Sequence, residues 1–88
     1  MDFNKTTHVL IVEDDERLAE LTREYLVSNG LTVDVEHNGS VAVARIKAEQ
    51  PDLVILDLML PGEDGLGICR LVRPDYSGPI IMLTADAT

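Results

Sequence analysis

The sequence has few aromatic residues, no tryptophan and a single cysteine. Only 3% of its 88 residues are aromatic, so a core would have to be packed mainly from aliphatic side chains. The lone Cys69 excludes a disulfide within the chain. Basic residues are also scarce, with 7 against 16 acidic ones and a net charge of −9. Such a charge opposes direct binding of this stretch to nucleic acid or to an anionic membrane surface.

Long apolar segments are absent as well. No run approaches the roughly 18 apolar residues of a membrane span, and the stretch MDFNKTTHV lacks the apolar core of a signal peptide. Together with the single thiol, these features predict a cytoplasmic protein with no membrane partner. The length suits one small domain, and 45% hydrophobic with 26% charged residues is typical of a globular one.

Three short apolar runs and one alternating run predict strands. HVLIVEDD, DLVILDL and IIMLTA are nearly continuous in apolar residues, which is typical of strands buried on both faces. LTVDVEH alternates apolar and polar residues, which favours a position nearer the edge of a sheet. The first strand should cover about residues 8 to 13, and these four strands should form the centre of the fold.

Helical patterns separate the predicted strands. They are DERLAELTREYLVSNG, VAVARIKAEQ and LGICRLV. Asp15 and Ser40 are expected to cap the first two helices, and Asn29 with Gly30 should end the first one in a left-handed turn. Because connections of this length exclude hairpins, strand and helix should alternate in a doubly wound α/β domain with a parallel sheet.

Acidic and hydroxyl side chains stand where the predicted strands end. Glu13 and Asp14 follow the first strand, Asp57 closes the third, and Thr84 closes the fourth. In an open parallel sheet, ligands bind beyond the carboxyl ends of the strands, near the point where strand order reverses. If the first and third strands are neighbours, Asp14 and Asp57 face each other there.

Clustered carboxylates need compensation, because two charges 4 Å apart repel by about 4 kcal/mol at an effective dielectric of 20. Either one acid is protonated, or a hard divalent cation binds; Mg²⁺ fits better than Zn²⁺ because the cluster has neither His nor Cys. Taken alone, EDD is also typical of a helix N-terminus, where acids complement the helix dipole. Acids at two strand ends, a hydroxyl at a third and the PG..G loop after Asp57 favour a Mg²⁺ site for phosphate chemistry.

The motifs VLIVEDD, DLVILDLMLPGEDGLGICR and PIIMLTA occur in an order that resembles the receiver domain of bacterial two-component response regulators. The resemblance covers nearly all of residues 8 to 88. LDLMLPGEDGL further resembles the OmpR-type subfamily, in which a winged-helix DNA-binding domain follows the receiver. The resemblance implies a flavodoxin-like sheet of strand order 2-1-3-4. It also implies that residues 1 to 88 form the N-terminal part of a receiver, truncated after the fourth strand and without an effector domain.

The resemblance also implies a role for each site residue. Asp57 would accept a phosphoryl group from a sensor histidine kinase. Asp14, Asp57 and the backbone carbonyl of Met59 would bind Mg²⁺ directly, and Glu13 would bind it through a water. Thr84 would be the switch hydroxyl that turns toward the phosphoryl group. The expected role is therefore that of a phosphorylated switch and not of an enzyme, with transcription regulated through a DNA-binding domain elsewhere in a longer protein.

Two departures from the family bear on these expectations. The Lys that ends the family's fifth strand has no counterpart here, nor do that strand and the last two helices. The fourth strand would then be an exposed edge, so we expect a homodimer or a domain-swapped oligomer. Two alternatives stay open. One is a phosphatase of the haloacid dehalogenase type, which would require an Asp where Met59 stands. The other is a receiver fragment that cannot be phosphorylated and acts only in protein interaction or self-association.

Overall fold

The computed structural model of the protein describes residues 6–58, 60 and 64–83. Strands and helices alternate along them, which confirms the predicted α/β class. The elements are β1 (His8–Val12), α1 (Glu16–Ser28), β2 (Thr32–Glu36), α2 (Gly39–Glu49), β3 (Leu53–Asp57), α3 (Gly65–Val72), a short 3-10 helix (Arg73–Asp75) and β4 (Ile80–Leu83). None of the helices in these ranges is both long enough and apolar enough to cross a membrane.

The strands form a parallel sheet in the order β2-β1-β3-β4, as predicted. β1 lies between β2 and β3, with Val9 opposite Val33 on one side and opposite Leu53 on the other. After β2 the chain crosses to the other side of β1, so the strand order reverses between β1 and β3. The carboxyl ends of these two strands therefore mark the crevice in which folds of this kind bind ligands.

Aliphatic side chains pack on both faces of the sheet. On one face α2 and α3 bury Ala42, Ile46, Ile68 and Val72 against Leu10, Val12, Val54 and Leu56. On the other face Leu26 of α1 packs against Val9, Ile11 and Val33. Each large side chain buried in this way contributes about 1.5–3 kcal/mol to stability. β1 and β3 are the two central strands of the described sheet, each paired on both sides, and both lead into the crevice.

The helix caps agree with the sequence at α1 and differ at α2. Asp15 caps α1 as predicted, because its side chain accepts bonds from two amides of the first turn at 3.0 and 3.1 Å. The prediction that Ser40 caps α2 is wrong. Asn38 caps α2, where its side-chain oxygen accepts from the amides of Ser40 at 2.9 Å and Val41 at 3.1 Å. Ser40 therefore lies inside the first turn, because an Asn two residues earlier already satisfies these donors.

β4 is less buried than its apolar sequence predicts. Ile80 and Met82 are partly buried, whereas Ile81 is 48% and Leu83 46% exposed. The strand lies at the edge of the described sheet and packs against the core mainly through Ile80. One face of β4 is thus covered and the other is open, which corrects the expectation of a strand buried on both faces.

A tyrosine joins the segment before β4 to the start of β3. Tyr76 is only 2% exposed, and its hydroxyl donates to the carbonyl of Pro51 at 2.7 Å. Replacing Tyr76 by Phe should lower the free energy of unfolding by about 1–2 kcal/mol, because the buried carbonyl loses this donor. Urea denaturation measures the loss. Tyr25→Phe is the matched control, since Tyr25 is 69% exposed, and equal effects of the two changes would contradict the prediction.

Candidate functional site

Three carboxylates meet at the crevice between β1 and β3. Glu13 and Asp14 directly follow β1, and Asp57 is the last residue of β3. Each offers a ligand oxygen, and the three oxygens lie within 4.8 Å of one another. Glu13 and Asp57 are each 7% exposed, whereas Asp14 is open to solvent. The structure thus confirms that Asp14 and Asp57 face each other across the ends of two neighbouring strands.

The crowding of negative charge changes the protonation of Glu13. The pKa of its carboxyl is raised from 4.5 to about 7, chiefly by burial and then by the hydrogen bond and the charge of Asp57, with a smaller contribution from Asp14. The backbone N–H of Asp15, which donates to Glu13 Oε2 at 3.3 Å, acts in the opposite direction. Near neutral pH the cluster therefore relieves its repulsion partly by holding a proton, and a cation would relieve it further.

The donor set fits Mg²⁺. All three side chains of the cluster offer hard carboxylate oxygens, which Mg²⁺ prefers, and none offers sulfur or imidazole nitrogen. Two of the groups are buried and one is exposed, so an ion could bind from the solvent side while it keeps several waters, as Mg²⁺ usually does. Asp14, Asp57 and Glu13 are the described residues that would hold it.

A glycine fixes the turn that follows Asp57. The amide of Leu58 donates to the carbonyl of Leu83 at 2.9 Å, and the amide of Gly65 approaches the carbonyl of Leu58 at 3.4 Å. A Cβ at Gly65 would lie 2.9 Å from the carbonyl oxygen of Asp57 and equally close to the Cα of Leu58. The start of α3 is thus pressed against the end of β3, which requires a residue without a side chain at position 65.

Both polar groups of the Glu13 backbone contact residues at the end of β2 or just after it. Its N–H donates to the carbonyl of Glu36 at 3.0 Å, and its carbonyl contacts Nδ1 of His37 at 2.8 Å. Sequence reasoning gave His37 no role. The available signal was its position directly after β2, at the same edge of the sheet as the acids.

Two predicted site residues lie outside the described residues. They are Met59, expected to contribute its backbone carbonyl, and Thr84, expected to contribute its hydroxyl. Thr84 follows Leu83 in the sequence, and Leu83 is paired with Asp57 in the β3–β4 register. Both assignments stay predictions.

A second group of potential metal ligands is already paired with an arginine. His8, Asp34 and Glu49 also place ligand atoms within 4.8 Å of one another. However, Arg45 Nε donates to Glu49 at 2.8 Å, and its guanidinium lies 3.9 Å from Asp34. His8 Nε2 is 2.8 Å from Asp34 as well. A cation already balances these acids, so this group is an ion-pair network between α2 and the β1–β2 side of the sheet.

The sheet order and the carboxylates at its switch point define a doubly wound domain with a Mg²⁺-type acidic site. Residues 9–88 match the family model of the response regulator receiver domain, and the chain belongs to that family. This places it in two-component signal transduction, and the phosphatase alternative finds no support.

Its curated relatives are transcriptional regulators of the OmpR family. The chain is 47% identical over 77 residues to the transcriptional regulatory protein RstA of Escherichia coli, covering 88% of this chain and 32% of the relative. It is 42% identical over 85 residues to the transcriptional regulatory protein ResD of Bacillus subtilis, covering 97% of this chain and 35% of ResD. The chain thus spans about a third of the length of these relatives.

Solved receiver domains have the same fold. The chain is similar to the BeF3-activated N-terminal receiver domain of Klebsiella pneumoniae RstA, with a TM-score of 0.86 and 41% identity over 93% of this chain and 70% of that one. It is also similar to the response regulator TrrA of Thermotoga maritima in complex with Mg²⁺-BeF, with a TM-score of 0.86 and 34% identity over 93% of this chain and 72% of TrrA. These likenesses confirm the predicted receiver-like sheet.

Proposed function

We propose that this receiver domain accepts a phosphoryl group from a sensor histidine kinase onto Asp57 in a Mg²⁺-dependent reaction. One observation carries the proposal: Asp57 is a nearly buried carboxylate at the end of β3, and two further acids lie within 4.8 Å of it. The names of the Klebsiella RstA and TrrA structures support it, since one domain is BeF3-activated and the other is in complex with Mg²⁺-BeF.

Asp57 acts as the nucleophile. One carboxylate oxygen attacks the phosphorus of the kinase's phosphohistidine, a P–O bond forms, and the P–N bond breaks. The electron pair of that bond returns to the imidazole nitrogen, which takes up a proton. The rigid end of β3 orients the attacking oxygen, and burial limits the access of water. When bound, Mg²⁺ supplies positive charge that offsets the charge on the phosphoryl oxygens.

The neighbouring acids prepare the site. Asp14 and Asp57 would hold Mg²⁺ directly with the Met59 carbonyl, and Glu13 would hold it through a water. The proton that Glu13 retains near pH 7 must leave for the full charge of the cluster to face the cation. Thr84 would donate a hydrogen bond to the phosphoryl group, and this charge-assisted bond would bias the domain between two states.

The proposed target of the phosphorylated receiver is a DNA-binding domain. The relatives are named as transcriptional regulators and are about three times as long as this chain. We propose that phosphorylation of this domain controls a DNA-binding domain and that the protein acts in the cytoplasm. With a net charge of −9, the 88 residues themselves are poorly suited to contact DNA. The domain is modified once per signalling event, so we propose that it is not an enzyme.

Beryllofluoride, which mimics a phosphoryl group, tests the acceptor site without a kinase. We expect a protein-bound ¹⁹F NMR signal that requires both Mg²⁺ and Asp57. The Asp57→Asn variant should give no bound signal, whereas Asp75→Asn, which changes an exposed acid next to α3, should behave as the wild type. A receiver that acts only in protein interaction would show no bound signal in any sample, which would contradict the proposal.

Self-association is a separate proposal. Ile81 and Leu83 are about half exposed on β4, the edge strand of the described sheet, and such an edge favours pairing with a second copy. Size-exclusion chromatography with light scattering should show a dimer or larger species at high protein concentration. Ile81→Lys should shift the distribution toward monomer, and a wild-type protein that stays monomeric throughout would contradict the proposal.

A further inference from the structure

The peptide that links Glu13 to Asp14 lies just beyond the regular part of β1. The β1–β3 ladder ends at the pair Val12 and Leu56, so the carbonyl of Glu13 emerges after the last described pair of that ladder. A backbone carbonyl in such a place needs a partner from outside the strand. His37 supplies it, with Nδ1 at 2.8 Å.

This contact determines which nitrogen of the His37 imidazole carries a proton. A carbonyl oxygen can only accept a hydrogen bond, so Nδ1 of His37 must carry the proton and donate it. The neighbouring residue completes the arrangement, because the carbonyl of Glu36 accepts the N–H of Glu13 at 3.0 Å. Residues 36 and 37 therefore bind both polar groups of the Glu13 backbone.

This bond acts on two acids at once. The peptide group is planar, so the carbonyl of Glu13 and the N–H of Asp14 belong to one rigid unit. Fixing that plane fixes the direction in which the chain enters Asp14, and it also holds the Cα from which the Glu13 side chain projects. Both side chains belong to the group of oxygens that lie within 4.8 Å of one another.

We infer that His37 is a positioning residue for the carboxylate site, acting through its hydrogen bond to the Glu13 carbonyl. The inference rests on the proposed function, because the quantity that His37 controls is the affinity of the site for Mg²⁺. Removing the bond should loosen the Glu13–Asp14 peptide and weaken Mg²⁺ binding, while the nucleophile Asp57 on β3 stays in place. His37 is exposed, so its replacement should leave the core intact.

The experiment measures Mg²⁺ affinity of the complete chain by calorimetry at pH 8 for the wild type and three variants. His37→Ala should raise the dissociation constant by about three- to tenfold, at or below the lower end of the effects typical of residues that support metal ligands, because His37 acts on the backbone and not on a ligand atom. His37→Asn should restore it to within about twofold, because its amide keeps an N–H donor near the same position. Arg23→Ala is the matched control, since Arg23 lines the same cleft of about 330 Å³ as His37 and pairs with Glu20.

A second readout separates positioning from general destabilisation. At saturating Mg²⁺, the yield of the beryllofluoride complex of His37→Ala should equal that of the wild type, and its urea midpoint should change little. Wild-type Mg²⁺ affinity in His37→Ala, or failure of the folded Asn variant to restore it, would overturn the inference and leave the proposed function intact. A wild-type protein that binds no Mg²⁺ would overturn both.

Discussion

Replacing Gly65 by alanine is expected to distort the end of β3 and to weaken Mg²⁺ binding by about tenfold or more. The added Cβ would lie 2.9 Å from the carbonyl oxygen of Asp57 and 2.9 Å from the Cα of Leu58. Both are backbone atoms at the end of β3, where Asp57 pairs with Leu83 of β4 and the amide of Leu58 donates to the Leu83 carbonyl, so neither can move aside as a flexible side chain would. The end of β3, which carries Asp57, must therefore shift or α3 must move away. Overpacking of this kind costs about 1–3 kcal/mol of stability.

Calorimetric titration with Mg²⁺ and urea unfolding of the Gly65→Ala variant measure the two effects. Leu66→Ala is the matched control, because it alters the next residue of α3, whose side chain is 53% exposed. The control should keep wild-type Mg²⁺ affinity and lose little stability. A Gly65→Ala variant that equals the wild type in both measurements would show that the start of α3 does not fix the position of Asp57.

Glu13 should make the metal-free protein less stable as the pH rises from about 4.5 to 7. Its carboxyl has a pKa of about 7 in the folded protein and 4.5 as the ordinary value, so in this range the folded state binds more protons than the unfolded one. Stability therefore falls with rising pH through this window, and the contribution of Glu13 is constant below and above it. Because Mg²⁺ favours the ionised cluster, its apparent affinity should rise about tenfold between pH 6 and pH 8.

Thermal unfolding against pH, with and without Mg²⁺, tests this coupling. Glu13→Gln should remove most of the fall in stability between pH 4.5 and 7, because the amide does not titrate. Glu16→Gln changes an exposed acid of the same turn and should leave the slope unchanged. A slope of opposite sign, or an unaltered slope in Glu13→Gln, would contradict the assignment of the raised pKa to Glu13.

Most of the site could be predicted from the sequence because it depends on topology. Once β1 and β3 are neighbouring parallel strands, the residues that end them must lie together, and Asp14 and Asp57 need no finer information. The resemblance to receiver domains supplied the strand order. The open face of β4 did not follow from its apolar pattern, which is the same at an edge as in the centre of a sheet. Only the expected truncation after the fourth strand predicted an exposed edge there.

Contacts between loops were beyond sequence reasoning. The hydrogen bond from His37 to the Glu13 carbonyl depends on the register of β1 and β2, that is, on where one strand ends relative to the other. No residue pattern encodes that register. The cap of α2 was misplaced for a similar reason. Asn38 and Ser40 are both good caps, and the choice between them depends on where the chain leaves β2.

Intact-mass spectrometry after incubation with a small phosphoryl donor and Mg²⁺ tests the central claim most directly. The wild type should gain about 80 Da, the mass of one phosphoryl group, and Asp57→Ala should gain nothing. Omission of Mg²⁺ should abolish the gain as well. A wild-type protein without the added mass, or an equal gain in Asp57→Ala, would contradict the assignment of Asp57 as the phosphoryl acceptor.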